Sequence, residues 1–386
     1  MRITGFRPTG AERRLRAALG LLLPLLLLAA CQASAQRPPQ AEAPRVEVVA
    51  RGLTNPWGMA FLPDGRLLVT ERPGRLRLIA PDGTVSAPLR GTPEVFARGQ
   101  GGLLDVALAP DFARNRLVYL SFAEPGPGGV AGTAVARGRL DEAAGDLDEV
   151  AVIWRQAPKV DGRNHFGSRL VFAPDGRLFV TTGERFRFDP AQDLSGTLGV
   201  VVRLEQDGSV PRDNPFVGRQ GAMPEIWSYG HRNVQGAAIQ PGTGQLWTTE
   251  MGPRGGDELN RPEAGRNHGW PLVSWGRHYM GQSIPQPATR PDLADAVHHW
   301  TPVISPSGMI FYDGALFPSW RGDILIAGLS AQGIVRLTLR DGAVAGEERI
   351  PLGARIRDVE QGPEGAVYAL TDEADGRLLR LTPPAR

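Results

Sequence analysis

The stretch "RNHFGSRLVFAPDGRL" (163–178) sets a histidine among polar residues just ahead of an apolar run. An unperturbed imidazole titrates at about pH 6.5, so His165 has a suitable acidity for a general base at neutral pH. It can equally be a polar residue that happens to precede a strand. Four other stretches decide how much weight the first reading carries. In "RGQGGLLDVALAP" (98–110), Gln100 sits between glycines that let backbone approach a ligand closely, and its amide both donates and accepts. The alternative there is a tight turn with a solvated glutamine. "IWSYGHRNVQG" (226–236) offers Arg232 and Asn233 between aromatic residues and a glycine. An arginine aimed into an enclosed channel favours an anionic ligand or a developing oxyanion. On the surface it would make only a salt bridge.

"TEMGPRGGDELNRPEAGRNHGWP" (249–271) is dense in glycine and carries Glu250, Asp257 and Glu258. Hard cations such as Ca²⁺ take carboxylate and backbone carbonyl oxygens in irregular loops, although the spacing is not that of an EF-hand. A well-capped loop with exposed acids is the competing reading. In "GARIRDVEQGPEG" (353–365), Arg355 and Arg357 alternate, so a strand would show both on one face, where they could clamp carboxylates or simply be solvated. There is no GxSxG, the single cysteine is Cys31, and no GxGxxG opens a helix after a strand. A base with cationic partners and a divalent ion suits proton abstraction coupled to hydride or electron transfer. It also suits metal-assisted hydrolysis.

The elements that must hold these residues repeat along the chain. "FLPDGRLLVTE" (61–71) and "FAPDGRLFVTTGE" (172–184) are nearly identical, and looser copies occur at 108–124, 239–252, 316–329 and 361–373. Each has an apolar entry, a turn with Pro and Asp or Gly, and an apolar strand. Pro presets φ for the turn, and Gly or Asp tolerates the left-handed conformation. The turn prolines stand at 63, 110, 174, 241, 318 and 363. Such spacing leaves room for four short strands per unit. The predicted fold is all-β, a six-bladed β-propeller spanning 46–386, with "VEVVA" (46–50) and "RLLRLT" (377–382) available to close the ring. The 49 glycines and 34 prolines fit many turns rather than long helices. A propeller alone assigns no function.

Net charge is +2 in 386 residues, which gives no nucleic-acid footprint. Residues 1–35 read as a signal segment: arginines, then the apolar run 17–30, too short for a comfortable membrane span. "LAAC" (28–31) resembles a lipoprotein box that would lipidate Cys31, and "ASA" (33–35) is a competing cleavage site. Either predicts export to the periplasm, with a lipid anchor and an outer-membrane address in the first case. Residues 36–45 read as a linker.

Taken in order, "GLTNPWGMAFLPDGRLLVTER", "GQGGLLDVALAPDF", "NHFGSRLVF", "YGHRNVQG" and "GPRGGDELN...GRNHGWP" resemble the soluble pyrroloquinoline-quinone (PQQ) dependent aldose sugar dehydrogenases, relatives of soluble quinoprotein glucose dehydrogenase. The resemblance covers essentially the whole body and implies a six-bladed propeller. It implies that His165 takes the proton from the anomeric hydroxyl of an aldose while hydride passes to PQQ C5, yielding an aldonolactone. Arg232 would stabilise charge on the quinone oxygen. Gln100, Asn233 and Tyr279 would contact the cofactor, and Arg355 and Arg357 would pair with its carboxylates. The Gly252 and Pro253 carbonyls would hold a Ca²⁺, with Glu258 and His268 at a separate structural Ca²⁺. The electron acceptor would be a cytochrome or a quinone. One departure is Ser330, which stands where relatives place a lysine in the cofactor site; Lys159 is the only lysine. A Ca²⁺-dependent propeller lactonase and a non-catalytic sugar- or protein-binding propeller are the rival readings.

Overall fold

The computed structural model describes residues 43–384. The signal segment 1–35 with Cys31, and most of the linker 36–45, lie outside the described residues. Within them there are six antiparallel sheets, one α-helical turn at Phe112–Asn115 and four short 3₁₀ turns. The innermost strands are Pro56–Phe61, Leu103–Leu108, Leu170–Phe172, Val234–Ile239, Pro306–Phe311 and Ile356–Gln361. Each touches the next, and the sixth touches the first, so they form a ring. The chain is a six-bladed β-propeller.

Every predicted turn proline lies between the first and second strands of its blade. In the first blade Leu62 N–H donates to the Arg66 carbonyl (2.8 Å) and Gly65 has φ of 86°. The third blade repeats this with Ala173 and Arg177 (2.8 Å) and Gly176 at φ 84°. A residue with Cβ would be strained at either glycine. Arg45–Leu53 pairs antiparallel with Gly376–Thr382 as the outer strand of the sixth blade, so the two ends of the fold share one sheet. The first blade has three strands rather than four; isolated bridges Leu76–Leu89 and Ile79–Val85 stand where a fourth would run.

The blades meet at a buried arginine on the axis. Arg169, just ahead of the third inner strand, donates Nη1 to Asp105 Oδ1 (2.9 Å) and Nε to the Gln235 carbonyl (2.8 Å). Its Nη2 pairs with Asp358 Oδ1 (2.9 Å), and its guanidinium lies 4.2 Å from the Trp57 ring centroid. A Cβ at Gly308 would collide with Asp358 and Arg169, so glycine there makes room for the pair. Residues of all six blades therefore meet at one guanidinium.

Candidate active site

One face of the propeller collects two sets of residues. The first set immediately precedes inner strands: Gln100, His165, Arg232, Asn233, Ser305 and Arg355. The second immediately follows the neighbouring second strand of a blade: Arg72, Glu184, Met251, Leu329 and Asp372. Antiparallel pairing explains the match, because the start of each first strand lies beside the end of the second. Pro56 pairs with Glu71, Val234 with Glu250, Pro306 with Gly328 and Ile356 with Thr371.

His165 is buried, with φ of 55°. Its N–H donates to Gln100 Oε1 (2.8 Å), and its Nδ1 meets Glu184 Oε1 at 2.7 Å. With Glu184 Oε1 accepting from Nδ1–H, the lone pair is left on Nε2. Glu184 is itself fully buried, and its Oε2 accepts the backbone N–H groups of Arg187 and Phe188. Burial holds the His165 pKa below its ordinary value; the Glu184 hydrogen bond opposes this, and the charges of Arg232 and Arg185 add to it. The imidazole is therefore neutral, and basic, at neutral pH. Phe186 stands edge-to-face on it, with centroids 5.1 Å apart.

Arg232 donates Nη1 to the carbonyls of Met251 (2.8 Å) and Gly252 (2.6 Å), and Nη2 to Tyr279 Oη (3.0 Å). The adjacent Asn233 accepts from Gly167 N–H (3.1 Å), tying the loop of Arg232 to that of His165. Below them lies a cavity of about 240 Å³ lined by Trp57, Arg72, Gln100, Gln235, Met251, Ser305, Leu329, Arg355, Arg357 and Asp372. Arg355 and Arg357 do share a face: Nη2 of each reaches Asp372 Oδ2, at 3.1 and 3.2 Å. Burial lowers the Arg357 pKa, Asp372 opposes, and the charge of Arg72 lowers it further. Ser330 does not line this cavity. It is exposed, and its hydroxyl contacts the Val303 carbonyl and Ser305 Oγ, while Leu329 and Ser305 form the wall.

The acids of the glycine-rich loop divide by role. Asp257 accepts Gly252 N–H with one oxygen and Ile304 and Ser305 N–H with the other, so it fastens two loops together. Glu250 is engaged by His231 Nδ1, Arg232 N–H and Asn260. Glu258 has only Asn260 Nδ2 (3.0 Å), and burial together with Glu250 raises its pKa well above the ordinary value. Asn260 Oδ1 and both ring nitrogens of His268 are buried without a partner. Glu258 and His268 border one small pocket, and His268 stacks on His231 at 4.5 Å.

The donor sets can be judged against the expected groups. The cavity has three guanidiniums against one carboxylate, and Nε of Arg72, Arg232 and Arg357 is buried without a partner. That chemistry fits a polycarboxylate such as PQQ. Glu258 and the orphaned Asn260 oxygen fit a hard cation. Among the described residues no group of three or more His, Cys, Asp or Glu side chains is placed to hold a metal, so a cation here needs backbone and amide oxygens. The Gly252 carbonyl is already taken by Arg232, which would have to share or release it to a cation.

Reading the sequence singled out Gln100, His165, Arg232, Asn233 and Arg355 ahead of the inner strands, and did not single out Ser305, Arg72, Glu184 or Asp372. For Arg72, Glu184 and Asp372 a signal was present: each stands at the end of a copy of the repeat or next to it, in "VTER", "VTTGE" and "ALTD".

Comparison with known proteins agrees with this architecture. Residues 53–380 match the family described as Glucose / Sorbosone dehydrogenase. The chain is 45% identical over 343 residues to the aldose sugar dehydrogenase YliI of Escherichia coli, covering 88% of this chain and 92% of that one. It is 27% identical to quinoprotein glucose dehydrogenase B of Acinetobacter calcoaceticus, covering 85% of each. A solved glucose dehydrogenase structure superposes with a TM-score of 0.85 at 50% identity, covering 89% of this chain and 100% of that one. The PQQ-bound aldose sugar dehydrogenase of Streptomyces coelicolor does so at 0.74 and 30%, covering 89% and 99%. The chain belongs to the glucose/sorbosone dehydrogenase family.

Proposed function

We propose that this protein is a PQQ- and Ca²⁺-dependent aldose dehydrogenase that oxidises the anomeric carbon to a lactone. The observation that carries this reading is the neutral, carboxylate-held His165 beside a cavity rich in arginine. When bound, PQQ supplies a two-electron acceptor and Ca²⁺ a Lewis acid that polarises it. The chain supplies the rest. Glu184 fixes the His165 ring and compensates the charge the ring gains on taking the anomeric proton at Nε2. Arg232 presents a fixed positive charge, and Tyr279 limits its motion. Trp57, Gln235 and Met251 restrict water in the cavity. The leader read in residues 1–35 supports action outside the cytoplasm, with a cytochrome or quinone as final acceptor.

Purified apoprotein, loaded with PQQ and Ca²⁺, is expected to reduce a redox dye with a panel of aldoses. The same mixture after chelation of Ca²⁺ should lose most of that activity. Absence of dye reduction with every aldose and acceptor would overturn the reading.

Glu184→Gln separates positioning from mere structure. It is expected to lower kcat roughly 100-fold or more, because the amide neither selects the tautomer nor balances the imidazolium. Glu184 raises the His165 pKa, so the acid limb of the pH–rate profile should move to lower pH. An unmoved limb would argue against this pairing as the active one.

A further inference from the structure

The arginines around the cavity are not equivalent. Arg355 directs Nε and Nη2 at Asp372 Oδ2 (3.2 and 3.1 Å), and Arg357 reaches the same oxygen. Arg357 also donates Nη1 to Gln235 Oε1 (2.9 Å). Both therefore have an acidic partner within the protein. Arg72 has none among the described residues. Its one side-chain hydrogen bond runs from Nη1 to the Gly99 carbonyl (2.6 Å), and its Nε is buried without a partner. It lines the same cavity, and its charge acts on Arg357. With one carboxylate against three guanidiniums, the cavity keeps a surplus of two positive charges, one of them wholly on Arg72. Like charges set side by side at one cavity, with Arg357 buried among them, call for an anion.

We propose that Arg72 is a carboxylate-binding residue of this cavity, making a charge-assisted contact to a planar polycarboxylate that Arg355 and Arg357, held on Asp372, cannot make alone. The identity of that polycarboxylate as PQQ rests on the function proposed above; the anion site itself does not. Arg72 also connects the ligand to the base. Its Nη1 holds Gly99, the next residue is Gln100, and Gln100 Oε1 accepts the His165 N–H. The backbone of the glycine loop is pressed on Arg72, since a Cβ at Gly102 would collide with the Arg72 carbonyl.

The test is equilibrium binding to apoprotein, read by quenching of tryptophan fluorescence, to which Trp57 in the cavity wall contributes. Two probes are titrated: PQQ, and benzene-1,3,5-tricarboxylate as a planar carboxylate without a quinone. Arg72→Gln is expected to weaken both by about 10- to 100-fold. Arg72→Lys keeps a charge and loses the guanidinium fork, and is expected to bind at least threefold more weakly than the parent. It decides the matter if the glutamine variant does not fold. Affinities within twofold of the parent in the folded variants would overturn the proposal. So would a parent protein that binds neither probe. Arg72-dependent binding of the tricarboxylate without binding of PQQ would uphold the anion site and remove the quinoprotein reading.

Discussion

His165→Ala is expected to lower turnover of aldoses by about 10²- to 10⁴-fold, the range associated with loss of a positioned general base. The loss should appear in kcat far more than in KM, because on the proposed mechanism the imidazole acts on a proton in flight rather than on the bound sugar. Two side effects need control. His165 sits at φ 55°, a region that costs an alanine about 1–2 kcal/mol. The substitution also strands Glu184 Oε1 in a buried place. His165→Asn answers both, since asparagine tolerates the left-handed region and its amide can donate to the carboxylate. Alanine and asparagine variants that bind PQQ like the parent yet turn over 100-fold more slowly would establish the base. Turnover within a few-fold of the parent in the asparagine variant would refute it.

The second large effect is on stability. Arg169→Met leaves Asp105 and Asp358 facing each other without a cation, with Glu360 close enough to act on both. Removing one partner of a buried charge network costs about 3–5 kcal/mol. For a chain of this size that is a melting temperature lower by roughly 5–10 °C. The pH dependence distinguishes charge from packing. Burial already raises Asp105, and raises Asp358 to about 7, while Arg169 opposes both shifts. Without Arg169 both rise further. An acid whose folded pKa is raised favours the fold below its unfolded pKa, about 4, and loses that contribution as pH climbs towards the folded value. The deficit against the parent should therefore be small near pH 4 and grow towards pH 8. A deficit that stays constant with pH would assign the cost to lost packing on Trp57 instead.

The propeller was legible because its repeat lies in local chemistry. Pro63 and Pro174 with their following glycines mark the same hairpin in two blades, and strand closure followed from two unassigned apolar runs at the ends. The site was legible by half. His165, Arg232 and Arg355 stand in loops of unusual composition, so they attract notice. Glu184, Arg72 and Asp372 stand at the ends of repeat copies, where an acid or arginine looks like part of the pattern. What joins them to the site is antiparallel register between strands far apart in role, and a linear reading of loops does not apply that register. Ser330 shows a related limit: position in a motif does not say which neighbour faces inward, and here Leu329 and Ser305 line the cavity.

The Arg169 knot also sets the traffic of the site. It lies between the arginine-lined cavity and a second channel cavity lined by Asp105, Arg169, Asp358 and Glu360. A ring of blades could have been an open tunnel, and in this one a buried arginine with two buried carboxylates stands across the axis between the two cavities. On the function proposed above, sugar, lactone and electron acceptor would then all use the face on the arginine side of that barrier, and each would have to vacate it before the next arrives. The kinetic signature expected of that proposed function is a double-displacement pattern, parallel lines in reciprocal plots, with excess sugar slowing the enzyme by obstructing its acceptor.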